Sequence, residues 1–469
     1  MEEILKQNNI IASVDPRSVR SVCVLGSGVT GDAVADYFRS LPNPPTIDSY
    51  TDDAEVTKHY DLAVVSPGVP PHSRMVVSAR RQVDELIGEP ELAYRISPGR
   101  WIAITGTNGK TTTTALMAHV LNRAGVPARV AGKPGTTCIE AVRNRGEGEY
   151  IVAELSSYQL YYSKTLVPDA AVLLNITPDH IDWHGGYAAY RDAKLALLGR
   201  MHGNLPVVVD AVSDQTTDVI RSRVAAGDRV IALGSREGLC GDMTLSGPVS
   251  ESAYLDAKTG KLTCVIEGKR HSVMSAADLK IKGIHNRQNA LAVAAVALAM
   301  GLTPEKIAVG LAGFEALEHR IEFVAEIDGV GFYNDSKATN PEATCKALAS
   351  FDNTPLVVML GGRDKGTSLD ELVQLAESTC KTVVCYGEAG PRFHAAFAEA
   401  GRSAEGLKSA GDFKAAFQTA LDAAAVGDVV LLSPACASFD EFSSYEERGG
   451  YFKQLVTAER ARSDFEKVS

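Results

Sequence analysis

The sequence predicts an α/β protein with three domains in series and a largely parallel sheet in each. The chain has 469 residues, which is more than one hydrophobic core usually organises. Short β-branched runs alternate with alanine-rich helical stretches along almost the whole chain, a pattern typical of parallel sheets flanked by helices. Glycine-rich segments follow two of the predicted strands and mark strand–loop–helix units in different domains. We expect domains over 1–98, 99–315 and 316–469.

The predicted strands are short and are separated by helical stretches. In chain order they are Ser21–Leu25, Pro45–Asp48, Asp61–Val65, Trp101–Ile104, Tyr150–Ala153, Ala170–Leu174, Gly331–Tyr333, Pro355–Leu360, Thr382–Tyr386 and Asp428–Leu432. Ile96–Arg100 contains proline and glycine and is predicted to be a linker, whereas Ser250–Val273 is predicted to form β-hairpins. The alanine-rich stretch Asn286–Met300 ends at Gly301, a suitable stop for a helix.

Composition and charge argue against several classes of partner. The net charge of -11 disfavours bulk attraction to nucleic acid or to an anionic membrane surface. The 8 cysteines form no C-x-x-C pair, so neither a disulfide framework nor a zinc ribbon is expected. Met1–Asp15 lacks a signal-segment pattern, and no apolar run reaches the ~18 residues of a membrane span. We expect a cytoplasmic monomer.

The first domain carries a nucleotide-binding pattern. Gly26-Ser-Gly28-Val-Thr-Gly31 follows the first strand, and Asp48 ends the second, as in the Rossmann-like dinucleotide fingerprint. Any nucleotide diphosphate can use the same backbone amides, so NAD, another nucleotide and a glycine turn without ligand all stay open. Ser66-Pro-Gly68 ends the third strand and forms a rigid turn, with or without a ligand contact.

The strongest local signal is Ile104-Thr-Gly-Thr-Asn-Gly-Lys-Thr-Thr112 in the central domain. A strand ends here, a glycine-rich loop exposes backbone N–H groups, and a helix begins with the positive end of its dipole at the loop. Lys110 can reach the terminal phosphates of a nucleotide, and the hydroxyl of Thr111 can ligate Mg²⁺. The segment is not a full Walker A sequence, because Ile104 stands where that pattern has glycine. The order of strand, loop and helix favours phosphate binding over a simple turn.

Candidate metal ligands follow two strands of the central domain. Glu154 closes one strand near the phosphate loop, where a carboxylate can hold Mg²⁺, although a solvated surface glutamate is the alternative. Asp179-His-Ile-Asp-Trp-His184 follows another strand. A fourth nearby zinc ligand is missing, so Mg²⁺ is favoured and one histidine is expected to be structural. Lys194 lies on a predicted helix, Tyr187–Leu198, and this pattern alone favours an ordinary surface lysine.

Three polar loops follow strands of the third domain. They are Asn334-Asp-Ser-Lys-Ala-Thr-Asn340, Gly361-Gly-Arg-Asp-Lys365 and Ser433-Pro-Ala-Cys-Ala-Ser438. Because the carboxyl ends of parallel strands meet at one edge of a sheet, we expect one crevice, and its lysines and hydroxyls suit a carboxylate-bearing ligand. Cys436 has no Cys–His arrangement around it and is expected to be a buried thiol. Arg320 opens this domain and suits a phosphate contact.

An ordered series of motifs resembles the Mur ligases, and most closely the members that add D-glutamate. The motifs are TGTNGKT, ELSSYQL, NITPDHIDWH, AYRDAK, GIHNRQNA, HRIEF, NDSKATN and LSPACAS. The resemblance extends from about Val22 to Phe452, and the combination is specific. It implies that the Rossmann-like first domain holds UDP rather than NAD, that the central P-loop domain holds ATP, and that the third, Rossmann-like domain holds D-glutamate.

The resemblance also implies the site residues. Those implied for ATP are Gly106, Thr107, Asn108, Gly109, Lys110, Thr111, Thr112, Asn286, Asn289, Arg320 and Asp335. Those implied for the UDP-linked substrate are Val29, Thr30, Asp48, Ser49, Ser66, Pro67, Gly68, Ser156 and Gln159. Those implied for D-glutamate are Lys337, Thr339, Lys365, Ser438, Phe439 and Tyr445. Two Mg²⁺ ions are implied at Thr111, Glu154, His180 and a carbamylated Lys194, and catalysis at Lys110, Glu154, His180 and Lys194.

The sequence departs from the family pattern at a few positions. Tyr50 stands where the family often has arginine, and Tyr445 stands where it often has phenylalanine. Lys133 replaces the asparagine of a G-N-x-G loop. Contacts near Tyr50 and Lys133 therefore stay open, whereas the change at Tyr445 is mild.

The activity implied by the resemblance is ATP-dependent ligation of D-glutamate to UDP-N-acetylmuramoyl-L-alanine, in the synthesis of peptidoglycan precursors. ATP would convert the substrate carboxylate into an acyl phosphate, which the amine of D-glutamate then attacks. Folylpolyglutamate synthase shares the phosphate loop but lacks an N-terminal GxGxxG domain. An NAD-dependent dehydrogenase with an accessory ATPase domain has no use for the NDSKATN and SPACAS loops. A non-catalytic nucleotide-binding regulator is a third alternative.

Overall fold

The computed structural model describes residues 14–132, 136–212, 214–234, 250–281, 283–351, 354–364 and 366–468. The predictions made for Lys133 and Lys365 lie outside these residues, as does Cys240. Most of Met1–Asp15, where no signal-segment pattern is predicted, also lies outside the described residues.

Strands and helices alternate through most of the described chain. The strands are β1 (Ser21–Leu25), β2 (Thr46–Tyr50), β3 (Tyr60–Val65), β4 (Val83–Gly88), β5 (Trp101–Thr105), β6 (Ala128–Gly132), β7 (Tyr150–Glu154), β8 (Ala170–Leu173), β9 (Val207–Asp210), β10 (Ile231–Gly234), β11 (Glu251–Asp256), β12 (Lys261–Ile266), β13 (Lys269–Ser275), β14 (Glu322–Ile327), β15 (Val330–Asn334), β16 (Leu356–Gly361), β17 (Cys380–Tyr386), β18 (Leu407–Ser409) and β19 (Val429–Ala435). The helices are α1 (Val29–Arg39), α2 (Arg74–Gln82), α3 (Glu89–Ile96), α4 (Lys110–Arg123), α5 (Cys138–Arg143), α6 (Ser157–Tyr161), α7 (Ile181–His184), α8 (Tyr187–Leu198), α9 (Asp214–Ala226), α10 (Ile284–Ala299), α11 (Pro304–Gly313), α12 (Pro341–Leu348), α13 (Asp370–Thr379), α14 (Gly390–Glu399), α15 (Phe413–Ala423) and α16 (Tyr445–Val468).

The first sheet is fully parallel and has the order β2-β1-β3-β4. Its first three strands match the predicted ones with small shifts at their ends. The sequence does not predict β4, because Asp84 and Glu85 interrupt its apolar run. Glu85 is nevertheless buried, since it takes part in an ion-pair network described below.

The second sheet has nine strands in the order β13-β12-β11-β10-β9-β8-β5-β7-β6. The strands from β6 to β11 are joined by parallel pairs, whereas β11, β12 and β13 form antiparallel hairpins. These hairpins occupy one end of the sheet, as the low helical periodicity of their sequence predicts. The phosphate-loop strand β5 lies between β7 and β8, so loops from all three strands meet at one edge.

The third sheet has six strands in the order β14-β15-β19-β16-β17-β18. All neighbours pair in parallel except β14 and β15. Strands β15, β19 and β16 are adjacent, so the loops that follow them lie at the same edge. The three sheets, one fully parallel and two mixed, confirm the predicted α/β class with three domains in series.

The chain forms two compact units, one of Met1–Asp278 with Arg287–Gly313 and one of Leu279–Asn286 with Phe314–Ser469. The first two sheets share one unit because their hydrophobic residues belong to one continuous core, which includes Val22 and Val64 as well as Ala103 and Ile151. The boundaries predicted at 98/99 and 315/316 stay predictions.

A buried ion-pair network also connects the first sheet with the second. The Arg95 guanidinium donates to Glu85 at 2.7 Å and to Glu91 at 2.9 Å. Glu91 also accepts hydrogen bonds from the backbone N–H of Lys164 at 2.8 Å and from the Thr165 hydroxyl at 2.5 Å. A buried carboxylate needs this many donors to offset its loss of hydration. The network therefore holds β4 and α3 against the segment that follows α6.

Within the part of the chain that the structure describes, no helix is both long and apolar enough to cross a bilayer.

Candidate active site

The phosphate loop between β5 and α4 requires glycine at two positions. Gly106 has a φ of 150° and Gly109 a φ of 87°, a region that side-chain-bearing residues rarely adopt. A Cβ atom on Gly109 would lie only 2.7 Å from Oδ1 of Asn289. The structure thus brings Asn289, an implied ATP contact, against the loop that precedes the α4 N-terminus.

Two lysines converge on the backbone of this loop. The Lys110 ammonium donates to the carbonyl oxygens of Gly106 and Thr107, both at 2.9 Å. The Lys194 ammonium donates to the same Gly106 carbonyl at 2.8 Å. Positive side chains, backbone N–H groups and a helix N-terminus together favour a polyphosphate.

Lys194 is a buried residue, in contrast to the surface position that its helix pattern alone favours. Its exposed fraction is 2%, and it reaches a carbonyl 88 positions earlier in the chain. Burial, followed by the charge of Lys110, lowers the pKa of its ammonium to about 7, although Asp179 and Glu154 oppose the shift. A neutral amine is therefore readily populated near neutral pH.

Polar side chains that the sequence reasoning missed hold the phosphate loop in place. The Thr107 hydroxyl lies 2.7 Å from the Tyr190 hydroxyl. Asn175 accepts from the Asn108 backbone N–H at 2.8 Å and donates to the Asn108 carbonyl at 3.1 Å. Tyr190 and Asn175 belong to the AYRDAK and NITPDHIDWH motifs, so the motifs could have marked them as functional residues. Only the fold shows that they contact the phosphate loop.

The acidic residues expected near the phosphate loop supply oxygen atoms of the kind that Mg²⁺ prefers. Glu154 ends β7 with an exposed fraction of 4%, and both Glu154 and Asp179 raise the pKa of Lys194 by their charge. His180 has a φ of 52° and its backbone N–H donates to Asp179 at 2.9 Å. Among the described residues, no three His, Cys, Asp or Glu side chains gather closely enough to hold a metal. A Mg²⁺ ion there would need further oxygen ligands, such as hydroxyls.

His184 differs from His180 in its surroundings. It is 9% exposed and its Nε2 lies 2.9 Å from the Ser157 hydroxyl. Burial, with the nearby charges of His180 and Lys194, lowers its pKa to about 4. A neutral imidazole packed in an aromatic cluster supports the structural role expected for one of the two histidines.

A cavity of about 590 Å³ lies at the carboxyl edge of the first sheet. Its lining includes five of the residues implied for the UDP-linked substrate, namely Val29, Thr30, Ser66, Pro67 and Gly68. It also includes Gly26 and Ser27 of the glycine-rich segment after β1, and Pro70 of the turn after β3. The remaining lining residues were not singled out from the sequence, namely Thr51, Asp52, Asp53, Val69, Ser73, Met75 and Tyr158. The adjacent loops of β1, β2 and β3 therefore form one concave site, as in nucleotide-binding sheets.

Asp48 is not among the residues that line this cavity. Its carboxylate accepts hydrogen bonds from the Tyr60 hydroxyl at 2.6 Å and from Lys58 at 3.1 Å. Tyr50, at the position where the family often has arginine, has its hydroxyl 2.7 Å from that of Tyr60. Ser49 is exposed. The uridine contacts implied for Asp48 and Ser49 stay predictions.

Two other implied substrate residues form a helix cap. The Gln159 side chain accepts from the Ser156 backbone N–H at 2.8 Å, and the Ser156 hydroxyl accepts from the Gln159 backbone N–H at 3.3 Å. This reciprocal capping box begins α6 directly after β7. Their implied role in substrate binding stays a prediction.

In the second unit, the loops after β15 and β19 are held together by Arg448, which the sequence reasoning missed. Arg448 is 1% exposed. Its guanidinium donates to the hydroxyl and carbonyl of Ser336 at 3.0 and 2.9 Å, and to the carbonyls of Cys436 and Ala437 at 3.0 and 3.2 Å. The third loop joins them, because the Arg363 backbone N–H donates to Ala437 at 2.8 Å. The three polar loops thus meet, as predicted.

The implied D-glutamate residues lie on or beside these loops. The Lys337 ammonium lies 5.0 Å from the centre of the Tyr445 ring, a favourable cation–π distance. Thr339 follows Lys337 by two positions, Ser438 is 2% exposed and Phe439 is 62% exposed. Lys337 and Tyr445 are thus in contact, whereas binding of D-glutamate by the set stays a prediction.

Three residues implied for ATP lie in the second unit. Asp335 accepts from the Ser433 hydroxyl at 2.7 Å, and burial raises the pKa of its carboxyl to about 7. Asn286 is buried, at 8% exposed, and Arg320 is partly buried. Their roles toward ATP stay predictions.

Two family models match the central and C-terminal parts of the chain. A family model described as the Mur ligase middle domain matches residues 104–297. A model described as the Mur ligase glutamate ligase domain matches residues 319–436.

Curated relatives match most of the chain. A UDP-N-acetylmuramoylalanine–D-glutamate ligase of Thermoanaerobacter pseudethanolicus is 39% identical over 402 residues, which is 86% of this chain and 85% of the relative. The protein of the same name from Koribacter versatilis is 36% identical and covers 94% of this chain and 98% of its own length.

Solved structures agree at the level of the fold. UDP-N-acetylmuramate-alanine ligase from Thermotoga maritima has a TM-score of 0.57 and 18% identity, covering 94% of this chain and 99% of its own. A pseudomurein peptide ligase from Methanothermus fervidus has a TM-score of 0.53 and 17% identity, covering 88% and 96%.

Proposed function

The chain belongs to the Mur ligase family, and from that premise we propose that it joins D-glutamate to UDP-N-acetylmuramoyl-L-alanine at the expense of ATP. Relatives that carry this name match it at 36% to 40% identity over most of its length. The product is a precursor of peptidoglycan.

One observation carries the chemical part of the proposal. The first compact unit contains both the phosphate loop, with Lys110 and Lys194 on the Gly106 carbonyl, and the cavity of about 590 Å³. A nucleotide-activated acid and a triphosphate can therefore be bound by one body. That arrangement suits transfer of a phosphoryl group between them better than it suits two independent activities.

The first chemical step makes the carboxylate reactive. A carboxylate does not acylate an amine near neutral pH, because its leaving group would be oxide. An oxygen of the substrate carboxylate attacks the γ-phosphorus of ATP, the bond from that phosphorus to the bridging oxygen breaks, and ADP leaves. Lys110, the loop N–H groups and the N-terminus of α4 offset the charge on the transferring group.

The second step forms the amide bond. The deprotonated amine of D-glutamate attacks the acyl carbon and gives a tetrahedral intermediate. The bond from this carbon to the phosphate oxygen then breaks, phosphate leaves, and the nitrogen loses a proton. We propose that Lys337, Thr339, Ser438, Phe439 and Tyr445 hold the amino acid for this attack, with Lys365 as a further contact.

The reaction is proposed to use Mg²⁺. Two Mg²⁺ ions, when bound, supply charge neutralisation for the transferring phosphoryl group. The residues proposed to hold them are Thr111, Glu154, His180 and Lys194 after carbamylation. In that modification the Lys194 ammonium first loses a proton, and the neutral amine then adds to CO₂ and releases a second proton. A cation would thereby become a carboxylate-like group.

Release of phosphate from ATP tests the proposal. We expect release only when both UDP-N-acetylmuramoyl-L-alanine and D-glutamate are present. Phosphate release in the absence of both substrates would contradict the proposal, and so would the absence of phosphate release under every combination of substrates. The same assay with UDP-N-acetylmuramoyl-glycine tells whether the stem residue must be L-alanine.

The Lys194→Ala variant tests the carbamate. We expect a loss of activity of about a hundredfold or more, by comparison with the effect of removing metal-supporting groups. Lys414→Ala, on an exposed face of α15, serves as the control and should retain full activity. Depletion of CO₂ should lower wild-type activity and added bicarbonate should restore it. Full turnover in Lys194→Ala would exclude the carbamate.

We also propose that the enzyme acts as a monomer in the cytoplasm. Seven cysteines of the described residues are free and buried, as a reducing compartment allows. Light scattering after size-exclusion chromatography measures the mass of the particle directly, and the mass of a dimer would refute the proposal that the enzyme is a monomer.

A further inference from the structure

Tyr158 lies where the cavity of the first sheet meets the residues around the phosphate loop. It belongs to α6, which follows a strand of the second sheet, yet it lines the cavity together with Ser66, Gly68 and Ser73. All of these residues belong to one compact unit. Tyr158 is therefore in contact with whatever fills the cavity.

The ring of Tyr158 also packs against the imidazoles of the central domain. Its centre lies 4.7 Å from that of His180, 4.4 Å from that of Trp183, and 5.6 Å from that of His184, with which it is stacked. His184 is fixed by burial and by Ser157. His180, by contrast, has a side chain that is 43% exposed, and its imidazole contacts both the Tyr158 ring and the Asp179 carboxylate, the latter at 3.4 Å. The Tyr158 ring is therefore one of the restraints on its orientation.

The backbone that carries Tyr158 is held from both sheets. The Ser156–Gln159 capping box fixes the start of α6. After its end, the Tyr162 hydroxyl donates to the carbonyl of Val69, a cavity residue, at 3.1 Å. The Gly88 backbone N–H donates to the Tyr162 carbonyl at 2.9 Å. A contact made in the cavity can therefore act on the ring without being absorbed by movement of the helix.

We propose that Tyr158 is a positioning residue that couples occupation of the cavity by the UDP-linked substrate to the orientation of His180. A bound substrate restrains one part of the ring, and the ring restrains the imidazole packed on it. Thermodynamic linkage requires the reverse as well, so an ordered His180 favours the bound substrate. The inference rests on the proposed function for the identity of the ligand.

Kinetics of Tyr158 variants provide the first test. In Tyr158→Leu we expect the KM for the UDP-linked substrate to rise about tenfold, the scale of a lost aromatic contact with its buried area. We expect kcat to fall and the KM for D-glutamate to stay unchanged. Tyr158→Phe keeps the ring and should restore both parameters.

Tyr161→Leu is the matched control. Tyr161 lies on the same helix and its ring also contacts Trp183, at 5.6 Å, but it does not line the cavity. We expect wild-type KM values in this variant. An equal rise in KM in Tyr161→Leu would attribute the effect to packing of α6 and would overturn the inference.

Spectroscopy of His180 provides a test that is independent of turnover. In enzyme labelled with ¹³C and ¹⁵N at histidine, UDP-N-acetylmuramoyl-L-alanine alone should shift the imidazole signals of His180, assigned through His180→Gln. The Tyr158→Leu variant, saturated with the same substrate, should lack this shift of the His180 signals. An equal shift in that variant would overturn the coupling.

The two proposals can fail separately. If the substrate binds and shifts His180 in a Tyr158-dependent way but no ligation occurs, the coupling stands and the proposed reaction is wrong. If calorimetry detects no binding of the UDP-linked substrate to the wild-type enzyme, the nucleotide site is wrong and the coupling is wrong with it.

Discussion

Replacement of Arg448 by methionine should destabilise the second unit and disrupt the three polar loops of its sheet. The guanidinium donates to one hydroxyl and three carbonyl oxygens, on Ser336, Cys436 and Ala437, in a site that is 1% exposed. Methionine keeps most of the aliphatic stem but leaves all four acceptors without these bonds. The Ala437 carbonyl keeps its bond from the Arg363 N–H, so three acceptors are left unsatisfied. At ~1 kcal/mol for each of them, the expected loss is about 3 kcal/mol.

Thermal and urea unfolding measure this loss. For a unit of this size, the expected loss lowers Tm by about 10 °C. Arg448→Lys keeps the charge but not the planar fork, so we expect about half of the destabilisation. Because the same loops carry Lys337 and Ser438, the KM for D-glutamate should rise about tenfold or more in both variants.

Arg462→Met provides the control for this experiment. Arg462 lies on the same helix, its side chain is 59% exposed, and it pairs with Glu459 at 2.6 Å. Exposed pairs of this kind contribute about 0.5 kcal/mol or less. A wild-type Tm and KM in Arg448→Met would refute the reasoning that the buried guanidinium organises the loops.

Two further predictions concern the first unit. Burial raises the pKa of Glu89 from 4.5 to about 7, so between these pH values the folded state holds a proton that the unfolded state has lost. The free energy of unfolding should therefore fall by roughly 3 kcal/mol as the pH rises from 4.5 to 7. Unfolding measured from pH 4.5 to 8 should show Glu89→Gln gaining this amount relative to wild type, and an unchanged difference between the two proteins across this range would contradict the prediction. Gly109→Ala should abolish ATP binding measured by calorimetry, because its Cβ would meet Asn289 at 2.7 Å. Gly125→Ala is the control, because Gly125 has a similar φ of 85° but nothing lies within 4 Å of its added Cβ. This variant should lose about 1 kcal/mol of stability and still bind ATP. An equal loss of ATP binding in both variants would show that backbone strain, not the contact with Asn289, is responsible.

Features encoded by neighbouring residues were predictable from the sequence. The phosphate loop needs a strand, glycines with positive φ and a helix start in direct succession, and all of these lie within a few consecutive residues. The alternation of strands and helices likewise predicts parallel sheets, so the meeting of three polar loops in the third sheet followed from strand order alone. Strand β4 was missed because Glu85 looks like a surface residue until its buried partner Arg95 is known.

The sequence by itself determined the fold class, the phosphate loop and, through its ordered motifs, the family. Only the tertiary structure decided the surroundings of individual side chains. It buried Lys194 against Gly106, joined two polar loops of the third sheet through Arg448, and turned Asp48 toward Lys58 and Tyr60. The physical reason is the separation along the chain of the residues that interact. Backbone conformation is governed by residues adjacent in the chain, whereas burial, pKa and hydrogen-bond partners depend on atoms brought together from distant segments.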